Sequence, residues 1–141
     1  MILNAAMSLD GKIATRTKES RLSSRRDLRR VHKLRSEMDG IMVGLGTVLA
    51  DNPKLTVKYF KSKKPSRIIV DSRAETPLDS YVVKTAKNTP TIIAVTSHAP
   101  RSRVLRLEKT GVVVLACGKG PLVSLPVLMR RIRGLGIRKL L

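Results

Sequence analysis

Side chains able to do chemistry are concentrated in the first half of the chain. The stretch "GIMVGLGTVLADNPKLTVK", Gly40 to Lys58, sets Gly44, Gly46, Thr47, Asp51 and Asn52 directly after an apolar run. A Gly-x-Gly at a strand end lets backbone N–H groups approach a pyrophosphate. The dinucleotide fingerprint also needs a third glycine, and Leu49 stands in its place. The same glycines serve a plain sharp turn equally well. Thr47 suits a helix-capping hydroxyl, a contact to a cofactor phosphate, or both. Asp51, before Asn-Pro, can brace its turn or accept from ribose or heterocycle N–H groups. Arg35 offers a planar fork suited to bidentate phosphate recognition, or is an ordinary basic residue at the end of an arginine-rich helix. His32 lies one position off the apolar stripe of that helix and reads as a packed histidine rather than an acid. Asp10 and Lys12 flank a turn and read as a solvated loop. No side chain stands out as a general acid, so the catalytic residues stay unassigned and catalysis would rest on placing a donor against an acceptor.

These residues need elements to position them. Ile2 to Met7 reads as a short buried strand ending at Asp10-Gly11. Ser23 or Ser24 caps a helix to about Met38, with Leu28, Val31, Leu34 and Met38 on one face and arginines opposite. Gly40–Gly44 is a strand buried on both faces. Thr47 to Ala50 has room for no more than a helical turn, closed by Asn52-Pro53. Residues 66–72, 91–97 and 111–117 are β-branched strands. Between the last two, a short helix is stopped by Gly111. Ser124 caps a final helix carrying Leu125, Leu128, Met129, Ile132 and Leu135, ended by Gly134 or Gly136. Ile137 opens another strand that stops at Leu141, expected to be unpaired. Alternating strands and helices make one α/β domain over 1–141, a sheet layered by helices. The abrupt end suggests a fragment or a truncated coding sequence.

Composition narrows the partners. Lys and Arg number 29 against 10 Asp and Glu, a net charge of +19, and such a field attracts polyanions. Only three aromatics, Tyr59, Phe60 and Tyr81, are present, too few for a base-stacking platform. The charge therefore favours nonspecific polyanion binding or a small phosphorylated ligand over sequence readout. Cys117 is the only cysteine, which excludes an internal disulfide and a cysteine-cluster zinc site, and it reads as a buried small hydrophobe. No metal site is expected. No apolar run approaches the ~20 residues of a membrane span and Met1–Asn4 is no leader, so the chain reads as cytoplasmic.

Three motifs in order go further: "NAAMSLDGKIA" (4–14), "DLRRVHKLRSEMDGIMVGLGTVLADNPKLTVK" (27–58) and "PSRIIVDSRAETP" (65–77). Together they resemble the reductases of riboflavin biosynthesis: the archaeal and fungal 2,5-diamino-6-ribosylamino-pyrimidinone 5′-phosphate reductases and the C-terminal domain of bacterial bifunctional deaminase-reductases. The resemblance implies a dihydrofolate-reductase-like three-layer α/β fold lacking its C-terminal strands, usually dimeric. It implies NADPH-dependent reduction of a ribosylamino side chain to ribitylamino on a phosphorylated pyrimidine. By matched position, Gly44, Thr47, Asp51 and Ser72 would meet the cofactor. Asn4, Ser20, Arg35, Leu55 and Lys58 would form the substrate side, Lys58 where many relatives carry arginine. The family's glutamate-glycine-glycine motif would follow Leu141, so these 141 residues alone are expected to bind NADPH poorly. Deaminase zinc signatures are absent from the chain. The rivals are a basic RNA- or nucleotide-binding module without catalysis, and an inactive truncated homologue.

Overall fold

The computed structural model describes residues 1–5, 24–62 and 64–141. Asp10, Lys12, Ser20 and the last two residues of the expected first strand, Ala6 and Met7, lie outside the described residues.

Four parallel strands in sequential order form the sheet: β1 (Gly40–Gly44), β2 (Ser66–Val70), β3 (Thr91–Val95) and β4 (Val113–Ala116). Pairing is in register from Gly40↔Ser66 to Gly44↔Val70, then Arg67↔Thr91 and Ile92↔Val113. Side chains alternate between two cores, as a period of two requires. Ile41, Ile69, Ile93 and Val95 face one cluster, completed by Val48, Val82, Val83 and Leu107 from helices α2 (Leu45–Asp51), α3 (Tyr81–Lys84) and α4 (Arg101–Glu108). Ile68, Ile92 and Ala94 face the other, closed by Leu128 and Ile132 of helix α5 (Leu125–Gly134). Helices thus cover both faces of a parallel sheet, the expected α/β layering. Cys117 is fully buried in the second cluster, as its apolar context suggested.

Several local expectations need correction. α2 is seven residues long and begins at Leu45 with Gly44 as its N-cap, so Thr47 sits inside the helix and caps nothing. Asn52 ends it in a left-handed conformation. Helix α1 (Arg25–Ser36) is capped by Ser24, whose Oγ accepts from the Asp27 N–H at 3.2 Å. None of its residues is buried and Leu28 is half exposed, so its apolar stripe is not a core face. Residues 1–5 form no strand, although Ile2 N–H donates to Leu140 O at 2.8 Å. α3 was not foreseen.

The C-terminal segment is paired, contrary to expectation. Leu140 bridges Gly40 in parallel, Met42 N–H donates to Leu141 O at 2.7 Å, and Leu141 N–H returns to Gly40 O at 3.1 Å. The Asp39 carboxylate clamps its start, accepting from the Arg138 and Lys139 N–H groups at 2.9 and 2.8 Å. Gly40 permits this approach, since a Cβ there would lie 3.0 Å from Ile137 Cγ2 and Ile68 Cδ1.

Candidate functional site

Topology selects one end of this sheet. From β1 to β4 every crossover helix lies on one face; then α5 passes over the other face and returns the chain to the free side of β1. The direction of winding therefore reverses between β1 and the segment 139–141. In open α/β sheets a crevice opens beyond the carboxyl ends of the strands at such a switch point, and ligands bind there. The residue at that place is Gly44.

Around it the structure assembles part of the expected set. Added Cβ atoms at Gly44 and Gly46 would meet nothing within 4 Å, so the turn faces open space. Thr47 and Asp51 are both exposed and stand four apart in α2, hence on one face of the helix. Ser72 follows β2, the neighbour of β1, and is half-buried. Its carbonyl accepts from Thr96 N–H and Thr96 Oγ1, both at 3.0 Å, and its hydroxyl accepts from Val123 N–H at 3.1 Å. Ser72 thus fastens together the loops after β2, β3 and β4.

Sequence reasoning missed what fixes Ser72. Asp71 is buried, and its Oδ2 accepts from both the N–H and the hydroxyl of Thr76 at 2.7 Å, closing a loop in which Ala74 takes φ +55°. The signal was present as an aspartate at the end of an apolar strand with a threonine five residues on. Bracing of the 51–53 turn comes from Asn52 instead of Asp51: Asn52 Oδ1 accepts from Tyr81 N–H at 2.8 Å.

A second group gathers where α1 meets the chain after α2. Arg35 Nη1 donates to Thr56 O at 3.3 Å, while its Nε is buried with no hydrogen-bond partner. Lys58 is exposed, and its backbone N–H donates to His32 Nδ1 at 3.1 Å. Burial pushes His32 below its ordinary pKa, and the charges of Arg35 and Lys58 add to the effect against an opposing backbone hydrogen bond at Thr56. Among the described residues the ion pairs are Arg30–Asp27 and Arg73–Glu75, so neither Arg35 nor Lys58 has a carboxylate within 4 Å. Two cations without a carboxylate partner among the described residues, one of them the exposed Lys58, suit a phosphate. Leu55 is 3% exposed and packs into the first core cluster, so its backbone, with φ +49°, is what it can offer a ligand. Asn4 Oδ1 accepts from Arg30 Nη2 at 2.9 Å, tying the N-terminus to α1. Ser20 lies outside the described residues.

Exposed glycine amides, and a hydroxyl and a carboxylate on one helix face, leave hydrogen-bond donors and acceptors open to a ligand at this end of the sheet. Among the described residues no group of three His, Cys, Asp or Glu could hold a metal ion, and no helix is long and apolar enough to cross a membrane.

The family model for the RibD C-terminal domain matches residues 1–141. A 2,5-diamino-6-ribosylamino-4(3H)-pyrimidinone 5′-phosphate reductase of Methanothermobacter thermautotrophicus is 48% identical over 144 residues, covering all of this chain and 65% of the relative. The protein of the same description from Aquifex aeolicus is 38% identical over 146 residues and covered to 64%. The chain thus spans about two thirds of the length of these curated relatives. Among solved structures, Acinetobacter baumannii RibD superposes over 94% of this chain and 36% of its own with a TM-score of 0.77 at 22% identity, a likeness of fold. The riboflavin biosynthesis reductase Rib7 of Saccharomyces cerevisiae does so over 83% and 52%, with a TM-score of 0.62 at 27% identity.

Proposed function

We propose that this chain, which belongs to the RibD C-terminal domain family, carries the cofactor turn and the phosphate end of a nicotinamide-dependent reductase of riboflavin biosynthesis. The substrate is a ribosylamino-pyrimidinone 5′-phosphate, reduced to its ribitylamino form. The support for the reading is the Gly44–Asp51 turn at the switch point of the sheet, with Arg35 of α1 and Lys58 of the segment after α2, neither of them ion-paired among the described residues.

Gly44, Thr47, Asp51 and Ser72 would hold the cofactor, which when bound supplies a hydride. Arg35 binds the substrate phosphate as a fork and Lys58 as a point charge. Fixing that phosphate pre-orients the sugar, and orientation is the part of the barrier these residues can lower, since none of them is placed as a general acid. The preference for NADPH over NADH rests on the family resemblance and on the abundance of Lys and Arg able to pair a 2′-phosphate.

The test, made on a chain extended to the length its relatives span, is substrate-dependent oxidation of NADPH followed at 340 nm, with NADPH and NADH titrated by fluorescence. Oxidation should require the phosphorylated pyrimidine, and Arg35→Met should raise KM by about two orders of magnitude, the worth of one or two charge-assisted bonds. Binding of neither cofactor, or an Arg35→Met protein with unchanged KM, would refute the assignment.

A further inference from the structure

We propose that His32 is a positioning residue that holds the Leu55–Phe60 segment in place for the substrate phosphate, an inference resting on the phosphate reading above. His32 and Arg35 stand three apart on α1 and so reach the same way. His32 Nδ1 accepts from Lys58 N–H at 3.1 Å, and Arg35 Nη1 donates to Thr56 O at 3.3 Å. The His32 ring also meets Tyr59 edge to face, centroids 5.6 Å apart at 84°. With the Arg29 guanidinium 6.0 Å from the Tyr59 ring centroid, three side chains of one helix thus grip Thr56, Lys58 and Tyr59.

That grip has a conformation to maintain. Leu55 and Tyr59 take φ of +49° and +68°, in the left-handed region that side-chain-bearing residues avoid. Such a backbone persists only where its surroundings over-determine it. Leu55 is anchored by its side chain in the first core cluster, whereas Tyr59 is exposed and no α1 residue is buried against it. There the restraint comes from the α1 side chains Arg29, His32 and Arg35. Only an unprotonated Nδ1 can accept from Lys58, and burial first, then the nearby charges of Arg35 and Lys58, favour that form.

His32 touches no reacting atom in this scheme. Its effect is to keep Lys58 beside Arg35, so that a phosphate meets both charges without ordering the loop first. Removing the ring should weaken ground-state binding and leave the chemical step alone.

The test compares His32→Ala, which removes the acceptor, with His32→Asn, whose amide oxygen can stand where Nδ1 stood. The probe is ribose 5-phosphate, titrated calorimetrically, beside KM and kcat for the phosphorylated pyrimidine and hydrogen exchange at the Lys58 amide. His32→Ala should weaken ribose 5-phosphate and raise KM about threefold to tenfold, the worth of one hydrogen bond, and speed exchange at Lys58. NADPH affinity and kcat should stay within about twofold, and His32→Asn should restore binding. Wild-type behaviour of His32→Ala, or equal losses in kcat and NADPH affinity, would overturn the inference. Should His32→Ala fail to fold, His32→Gln replaces it, its acceptor one bond too far out; binding as tight as that of His32→Asn would overturn the inference. Arg35→Met separates the two readings. If it binds ribose 5-phosphate as wild type does, the phosphate site itself is wrong; if only His32→Ala is silent, the site stands without His32.

Discussion

Arg67 offers a stringent check on the physical reasoning, because it is a fully buried cation with no carboxylate beside it among the described residues. It lies in β2, and its guanidinium donates to Thr91 Oγ1 through Nε at 3.0 Å and Nη2 at 2.7 Å, to Thr85 Oγ1 at 2.8 Å and to Thr89 O at 3.0 Å. Consider Arg67→Met and Arg67→Lys. Methionine removes the charge and keeps most of the apolar volume. The acceptors it abandons are not stranded: Thr85 Oγ1 still donates to Tyr81 O, and Thr89 O still accepts from Thr91 Oγ1. The loss should be about 1–3 kcal/mol. Lysine looks conservative but keeps a buried charge and cannot span three oxygens with one ammonium. An under-partnered buried charge costs about 3–5 kcal/mol, so lysine should be the worse substitution. Urea unfolding monitored by circular dichroism gives both values, and melting temperatures should fall by roughly 2–5 °C for each kcal/mol. A lysine variant more stable than the methionine variant, or both within 0.5 kcal/mol of wild type (roughly the spread of neutral surface changes), would refute the argument.

Gly40→Ala should destabilise by about 1–3 kcal/mol, because its Cβ would press on Ile137, Ile68 and Leu140, and exchange at the Met42 and Leu141 amides should accelerate; unchanged exchange would count against the pairing. Acid unfolding should report Asp39, whose carboxyl lies below its ordinary pKa through the Lys139 and Arg138 N–H groups. A depressed value means stability present above the ordinary carboxylate range and lost as pH falls through the folded one, so Asp39→Asn should flatten that limb of the curve. His32, also depressed, should add stability above its ordinary 6.5 and lose it as pH falls below; a His32→Asn protein with an unaltered profile between pH 5 and 7 (the range in which an ordinary histidine titrates) would refute this. Ser72→Ala removes the acceptor of Val123 N–H, and should weaken NADPH roughly threefold to tenfold if the loops it joins carry the cofactor.

The sheet was legible because β-branched runs bounded by turn residues leave few alternatives: β2, β3 and β4 lie inside the stretches 66–72, 91–97 and 111–117. The C-terminal pairing was not, since Ile137–Leu141 is too short to declare its partner and only Gly40, lacking a side chain, admits it. α1 misled through its pattern. Its heptad-like apolar stripe is present, yet the helix is held by polar side chains reaching a loop, which periodicity does not report. Arg67 was equally hidden: an arginine in an apolar strand reads as a solvated exception until Thr85, Thr89 and Thr91 are seen to surround it. Candidate site residues were found through motif resemblance, whereas Asp71, Asn52 and His32, which fix their places, act through contacts 5, 29 and 26 residues away.

The two halves of the candidate site differ in what sustains them. The Gly44–Asp51 turn follows from topology: α5 returns the chain to the free side of β1, and in open α/β sheets such a reversal favours a ligand crevice at the carboxyl end of the strand. The phosphate end has no such origin. Of the four side-chain-bearing residues with positive φ among the described residues, Asn52, Leu55 and Tyr59 fall within eight positions of one another. That segment is held by single hydrogen bonds from Tyr81, Arg35 and His32. Leu55 apart, whose side chain sits in the first core cluster, backbone so strained and held by polar contacts has few neighbours that must change when its sequence does. Substitutions at 52–60 other than at Leu55 should therefore act on recognition of the proposed phosphorylated substrate through KM, with modest loss of stability. Substitutions in β1–β4 should do the reverse.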